Sequence, residues 1–365
     1  MLGTPVFLTA LAAGVQQPPA PQPPAAQQQT ETTQQTAAQQ PPAALCDLAG
    51  SAASAHTAGQ ALAERNYAAA VREYQAAYDV CPARTAYLLD ISRLETLRRN
   101  FDPAIRAARA YVDAKPDDPA GHVALANAHF MAQRFQDALA GVAKALALDP
   151  KNAAALKIKG NTEYLMGKTD DSIKTFLTLL EAYPNEEEGP YMLGRIYYQE
   201  RRIDHAIGQF ERVLKVNPRA YKAYDNLGLC YEAQGNTDMA IRHFLTAIKI
   251  AEKDNPGYDW AYANLASLLV EKGDSEKAFA AASKAADRNP YNARNFYLGG
   301  KALVNLDKTE LALNWLQRSV ALDPNYAEPY YLLARLYTRL GQEDKAKDAL
   351  EHFRTAKAKA PSQRR

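Results

Sequence analysis

Residues 221–250 read YKAYDNLGLCYEAQGNTDMAIRHFLTAIKI. Within them Tyr224, Leu227, Gly228 and Tyr231 fall at i, i+3, i+4 and i+7, one stripe of a first helix. Ala240, Phe244 and Ala247 form the matching stripe of a second helix, and Gly235 with Asn236 supplies the turn between the two. Where helices cross closely only a small residue fits, so Gly228 and Ala240 mark the crossing and the aromatic rings fill the space beside it. Such a hairpin has one wet side and needs neighbours to cover the other.

The neighbours are written into the chain. Pro82, Pro116, Pro150, Pro184 and Pro218 follow one another at 34 residues, and after a four-residue excess the series resumes at Pro256, Pro290 and Pro324. At the place of Ala240 the other units carry Ala70, Ala104, Ala138, Ser172, Ala206, Ala278, Ala312 and Ala346. Nine units, starting near 51, 85, 119, 153, 187, 221, 259, 293 and 327, account for an array over 45–360.

An aromatic, then x2-Leu-Gly-x2-Tyr, then Ala-x3-Phe, in a unit of 34 residues closed by proline, resembles the tetratricopeptide repeat. The resemblance implies an all-α, right-handed superhelical solenoid of about nine helical hairpins. It also implies that the first helix of each hairpin lines a concave groove for a protein or an extended peptide.

Composition agrees with a linear core. The chain has 365 residues, 47% apolar and 23% charged, enough to bury a long seam between hairpins. A formal net charge of +2 gives no argument for a nucleic-acid partner. Three cysteines do not make a disulfide scaffold, and no apolar run is long enough to span a membrane.

Residues 1–15, MLGTPVFLTALAAGV, resemble the end of a secretory signal peptide with Ala10-Leu11-Ala12 as the cleavage site, although a basic n-region is missing. A start assigned too late would explain the defect. Residues 16–44 hold one charge, Glu31, and read as a disordered Pro/Gln/Ala tether. A periplasmic or secreted protein is expected, with a cytoplasmic one as the alternative. At the other end, 361–365 form a basic tail.

The first unit is degenerate, with Thr57-Ala58 in place of Leu-Gly, as befits the end of an array. Its cysteines, Cys46 and Cys81, are candidates for a disulfide across the hairpin. An offset of about five residues, roughly 7 Å of helix, argues instead for two reduced thiols. Cys230 reads as a core residue, and the four extra residues after Ile250 add about one turn to the second helix of unit six.

No catalytic constellation stands out, and neither enzyme activity nor a cofactor is expected. Gly167-Lys168-Thr169 looks like the end of a P-loop, but Thr162 replaces its first glycine and Gly167 falls where the repeat needs a turn. His122 and His129 occupy large-residue packing positions.

The groove carries the binding expectation. Position 9 of each unit reads Gly59, Arg93, Asn127, Asn161, Arg195, Leu229, Ser267, Lys301 and Arg335, a row without an acid. Neighbouring positions add Lys157, Lys222, Asn226 and Asn264, with Tyr164, Tyr191 and Tyr198. Guanidinium groups grip carboxylates, amides bond a peptide backbone, and rings cover apolar side chains. Part of the family clamps a C-terminal carboxylate, and Lys157, Asn161 and Lys222 match that pattern. Met192 and Asn226 depart from it, so the specificity is not carried over.

The expected function is therefore a scaffold that binds a protein or peptide, in cell-envelope assembly or export. The rivals are a carbohydrate-binding accessory of polysaccharide export, the repeat portion of a larger transferase system, and a cytoplasmic chaperone adaptor.

Overall fold

The structure is a computed structural model that describes residues 46–359. The leader-like segment 1–15, the tether 16–44 and the tail 361–365 lie outside the described residues. Eighteen α-helices and no strand are found among those described. They pair as nine hairpins. The first three are α1 (Leu48–Ala63) with α2 (Tyr67–Val80), α3 (Ala86–Leu97) with α4 (Phe101–Ala114), and α5 (Pro119–Met131) with α6 (Phe135–Leu148). Next come α7 (Ala153–Leu165) with α8 (Thr169–Ala182), α9 (Glu188–Gln199) with α10 (Ile203–Val216), and α11 (Tyr221–Ala233) with α12 (Thr237–Asp254). The last are α13 (Trp260–Lys272) with α14 (Ser275–Arg288), α15 (Ala293–Asn305) with α16 (Thr309–Leu322), and α17 (Ala327–Arg339) with α18 (Glu343–Lys359).

Every helix packs on its hairpin partner and on the next helix of the chain. From α3 onward each first helix also approaches the first helix of the following hairpin, whereas no second helix approaches another second helix. First helices therefore crowd along one side while second helices fan apart on the other. The crowded side is the inner, concave one, and the array is an all-α repeat solenoid.

Volume is balanced hairpin by hairpin. Gly160, Gly194 and Gly228 face Phe176, Phe210 and Phe244, and a Cβ on Gly160 or Gly194 would lie 2.7 Å from the ring opposite. Gly228 leaves still less room against Phe244. Where the facing residue is smaller, as with Val142 or Ala282, the glycine gives way to Ala126 or Ala266. Close packing without voids forces this trade. The three phenylalanines are fully buried.

The four-residue excess is taken up inside a helix: α12 has 18 residues where α10 and α14 have 14. At the far end α18 buries only Ala346, Ala349 and Ala356 and leaves its lysines and acids in water, so it closes the array with its own polar face.

Hairpin one departs from its neighbours. Its α1 does not approach α3. Cys46 and Cys81 are joined as a disulfide with Cα atoms 4.6 Å apart. The helical offset counted from the sequence does not apply, because neither cysteine stands inside a helix. Asp47 caps α1 after Cys46, and Cys81 caps α2 at φ −142°, ψ 78°, so both ends step off their helices and meet.

Candidate functional site

The inner face is built from one side of α3, α5, α7, α9, α11, α13, α15 and α17, and the basic row runs along it. Arg93 is 62% exposed and pairs with Asp90 one turn away at 3.3 Å. Arg335 is exposed, and Arg195 and Lys301 are half-buried. Among the described residues no carboxylate lies within 4.0 Å of Arg195, Lys301 or Arg335. The Arg195 guanidinium rests 3.9 Å from Met192 Sδ. Its charge acts on Tyr164 and Tyr191, whose hydroxyl pKa values burial nevertheless raises above the ordinary value. Tyr164 donates to Gln199, and Tyr191 meets Phe210 edge-on at 6.0 Å. Tyr198 is pushed up to about 12 by burial and then by Glu232. Arg195 is thus a guanidinium without a counter-ion, in a wall of tyrosines.

The amides have other duties. Asn161 donates to Glu188 Oε1 at 3.0 Å, and Lys157 pairs with Glu186 at 3.4 Å and Glu188 at 3.3 Å. The groups that resemble half of a carboxylate clamp hold the chain's own carboxylates. Asn226 is buried and donates to the Lys222 carbonyl at 2.7 Å, while the Lys222 side chain is exposed. Asn264 is buried, donating to Asp225 Oδ1 at 2.9 Å and accepting from Arg294 Nη1 at 3.0 Å. Asn127 is half-buried on α5. Asn161, Asn226 and Asn264 each therefore have a hydrogen-bond partner within the protein. Crowded first helices bring Asn161 and Asn264 within reach of the adjoining hairpin, and buried amides such as Asn226 and Asn264 must be satisfied.

A carboxylate network lies deeper. Asp225, 1% exposed, accepts from Tyr258 at 2.6 Å and from Asn264, yet burial lifts its carboxyl to about 6. Glu232, one helical stretch further along α11, is raised to about 7 by burial and by repulsion from Glu271 on α13. Arg294 is the cation that offsets both. Tyr258 comes from the segment that follows the lengthened α12, where the repeat pattern predicts nothing. Its T-shaped contact with Tyr221, 4.8 Å between ring centres, ties that segment to the groove.

Between Glu188, Tyr191, Tyr221 and Lys222 lies a crevice of about 460 Å³, with the Arg219–Asp254 ion pair on its wall. His122 and His129 are buried, and His122 Nε2 meets the Pro116 carbonyl at 2.8 Å. Among the described residues no cluster of His, Cys, Asp or Glu could hold a metal, and no helix is long and apolar enough to cross a membrane. Gly167, at φ +74°, forms the turn between α7 and α8, so no strand precedes Lys168. The Cys230 thiol, fully buried, is pushed up to about 12.

Tetratricopeptide repeat family models match residues 123–187, 191–219, 219–290, 300–341 and 330–356. No curated protein matches the sequence. Among solved structures, a tetratricopeptide repeat protein of Parabacteroides merdae is 22% identical with a TM-score of 0.54, over 70% of this chain and 98% of that one. The APC/C hetero-tetramer Cut9–Hcn1 is 15% identical with a TM-score of 0.57, over 80% of this chain and 54% of that one. Pseudomonas aeruginosa pilF is 17% identical with a TM-score of 0.52, over 60% and 97%. These likenesses report the fold. With matches from hairpin three to hairpin nine on a solenoid of this architecture, the chain belongs to the tetratricopeptide repeat family, whose arrays are in general scaffolds for protein–protein interaction.

Proposed function

We propose that this chain is a non-enzymatic scaffold whose inner face receives an extended stretch of a partner protein. The observation that carries the reading is the half-buried Arg195, without a carboxylate and flanked by Tyr164 and Tyr191. A guanidinium held in a partly dry wall gains most from a charge-assisted hydrogen bond to an incoming carboxylate. Lys301 and Arg335 extend the same row, while Arg93 already has Asp90. Because Asn161, Asn226 and Asn264 are engaged within the protein, side chains of the partner carry more of the recognition than its backbone.

The Cys46–Cys81 disulfide and the apolar residues 1–15 together support an oxidising compartment, periplasmic or secreted, and a task in envelope assembly or export. A second reading, a glycan in the groove, is favoured by the tyrosines alone. Rings at Tyr164, Tyr191, Tyr198, Tyr297 and Tyr331 could stack on sugars.

Co-purification from the native host, read by mass spectrometry, tests the proposal. Wild type is compared with the Arg195→Glu, Lys301→Glu, Arg335→Glu chain after circular dichroism shows equal helicity. A protein set recovered with wild type and lost with the variant supports the groove. An unchanged set overturns it, and capture of envelope polysaccharide without protein favours the glycan reading.

A further inference from the structure

We propose that the groove reads its partner by the order of charge, acidic then basic then acidic, along one extended segment. This rests on the peptide-binding reading above and adds to it a defined occupant.

Charged groups left without a close counter-ion follow one another along the inner face. Hairpin five presents Arg195, hairpins six and seven present Glu232 and Glu271, and hairpins eight and nine present Lys301 and Arg335. Among the described residues none of the five makes an ion pair within 4.0 Å. On the same face Arg93 is paired with Asp90 and Lys157 with Glu188, while exposed Lys222 on hairpin six adds a cation beside the first station and exposed Glu328 an acid on hairpin nine. The middle station is the most demanding. Glu232 is half-buried and faces Glu271, and Asp225 lies further in. Arg294 is the cation nearest them, but its guanidinium is bonded to Asn264 Oδ1 at 3.0 Å. Two carboxylates facing one another gain from a cation between them more than from water, because partial burial weakens solvent screening.

Spacing sets the motif. Packed helices lie about 8–10 Å apart, and an extended chain advances about 3.3 Å per residue, so one hairpin corresponds to roughly three partner residues. An Asp or Glu over Arg195 then places a Lys or Arg about three to six residues on, over Glu232 and Glu271. A second acid about nine residues from the first reaches Lys301.

The probe is a phage-displayed library of random 12-residue peptides panned on the full chain, followed by synthetic peptides in fluorescence anisotropy. Enriched sequences are expected to carry acid, base and acid at these intervals. A synthetic peptide with the three signs inverted should bind at least tenfold more weakly. The Glu232→Lys, Glu271→Lys chain should instead prefer a central acid, and Glu232→Gln, a milder change, should lose the preference without reversing it. Enriched peptides that depend on Arg195 but show no central base overturn the charge order and leave the groove reading standing. A library that yields no binder removes both. Reversal of the preference in the charge-swapped chain is the outcome that a merely structural role for Glu232 would not produce.

Discussion

Hairpin six and hairpin one share one topology and are held together by different means. In hairpin six the bare backbone at Gly228 takes up the Phe244 ring, and α11 approaches both neighbouring first helices. In hairpin one the buried residues are small: Ala58, Ala61, Ala70 and Ala77, with Ser51 Oγ donating to the Ala77 carbonyl at 2.9 Å. Little apolar area is buried by alanines, and α1 has no first-helix neighbour to add more. The aromatic at the place of Phe244 is Tyr74, which is only half-buried, and a covalent clip at Cys46–Cys81 adds to it. A terminal repeat has one interface instead of two, so its stability must come from within the hairpin.

The comparison breaks most sharply at Phe244. Phe244→Ala removes a fully buried ring and should cost about 3–5 kcal/mol, read as a lower denaturation midpoint and loss of amide protection in α11 and α12. Adding Gly228→Ala should recover about 1 kcal/mol, since the vacated space admits a methyl group and helix propensity improves. The double variant then resembles hairpin seven, where Ala266 and Ala282 are both buried. No recovery would show that the glycine serves something other than the ring.

Next in size is the clip. Replacing Cys46 and Cys81 together by serine should loosen hairpin one by roughly 4 kcal/mol, the entropy of closing a loop of this length. Hydrogen exchange should speed up in α1 and α2 and stay unchanged in α11 and α12. Equal loss across the array would mean that the solenoid unfolds as one unit.

A pH titration separates the hairpins more gently. Asp225 and Glu232 titrate near 6 and 7 when folded, above the ordinary values of 3.8 and 4.5. Folding therefore takes up protons between about pH 4 and pH 7, and stability falls as pH rises through that window. The loss should be centred on α11, and Glu232→Gln should flatten the curve. A melting temperature that rises with pH over this range would contradict the assignment.

The smallest effect lies in the turns. Hairpin six turns on Gly235 at φ +76°, whereas hairpin one turns on Arg65 at φ +59°, in the left-handed region where a side chain is unfavourable. Arg65→Gly should stabilise hairpin one by about 0.5–1 kcal/mol, and Gly235→Ala should destabilise hairpin six by a similar amount. Both are read from thermal unfolding. An unstable Arg65→Gly chain would indicate that the arginine makes a contact worth more than its strain.

Some of this was legible in the residues. Gly228, Phe244 and the 34-residue prolines announce their own spacing, because the helix period and the close crossing are local requirements. The basic row was legible as a row, since the same position of successive 34-residue units falls on the same face of successive first helices. What those groups do was not. Asn264 looked like a groove amide and is buried on Asp225, while Lys157 looked free and holds Glu188. Tyr258, a partner of Asp225, lies outside the repeat register altogether.

By itself the sequence determined the number of hairpins, the face each helix buries and the place where α12 gains a turn, because periodicity and steric fit act over a few residues. Tertiary structure decided which groove charges have counter-ions, how Cys46 reaches Cys81 and which carboxylates are lifted by burial. Those outcomes depend on partners roughly thirty to forty residues away in sequence, brought close only when a hairpin closes or when one hairpin stacks on the next.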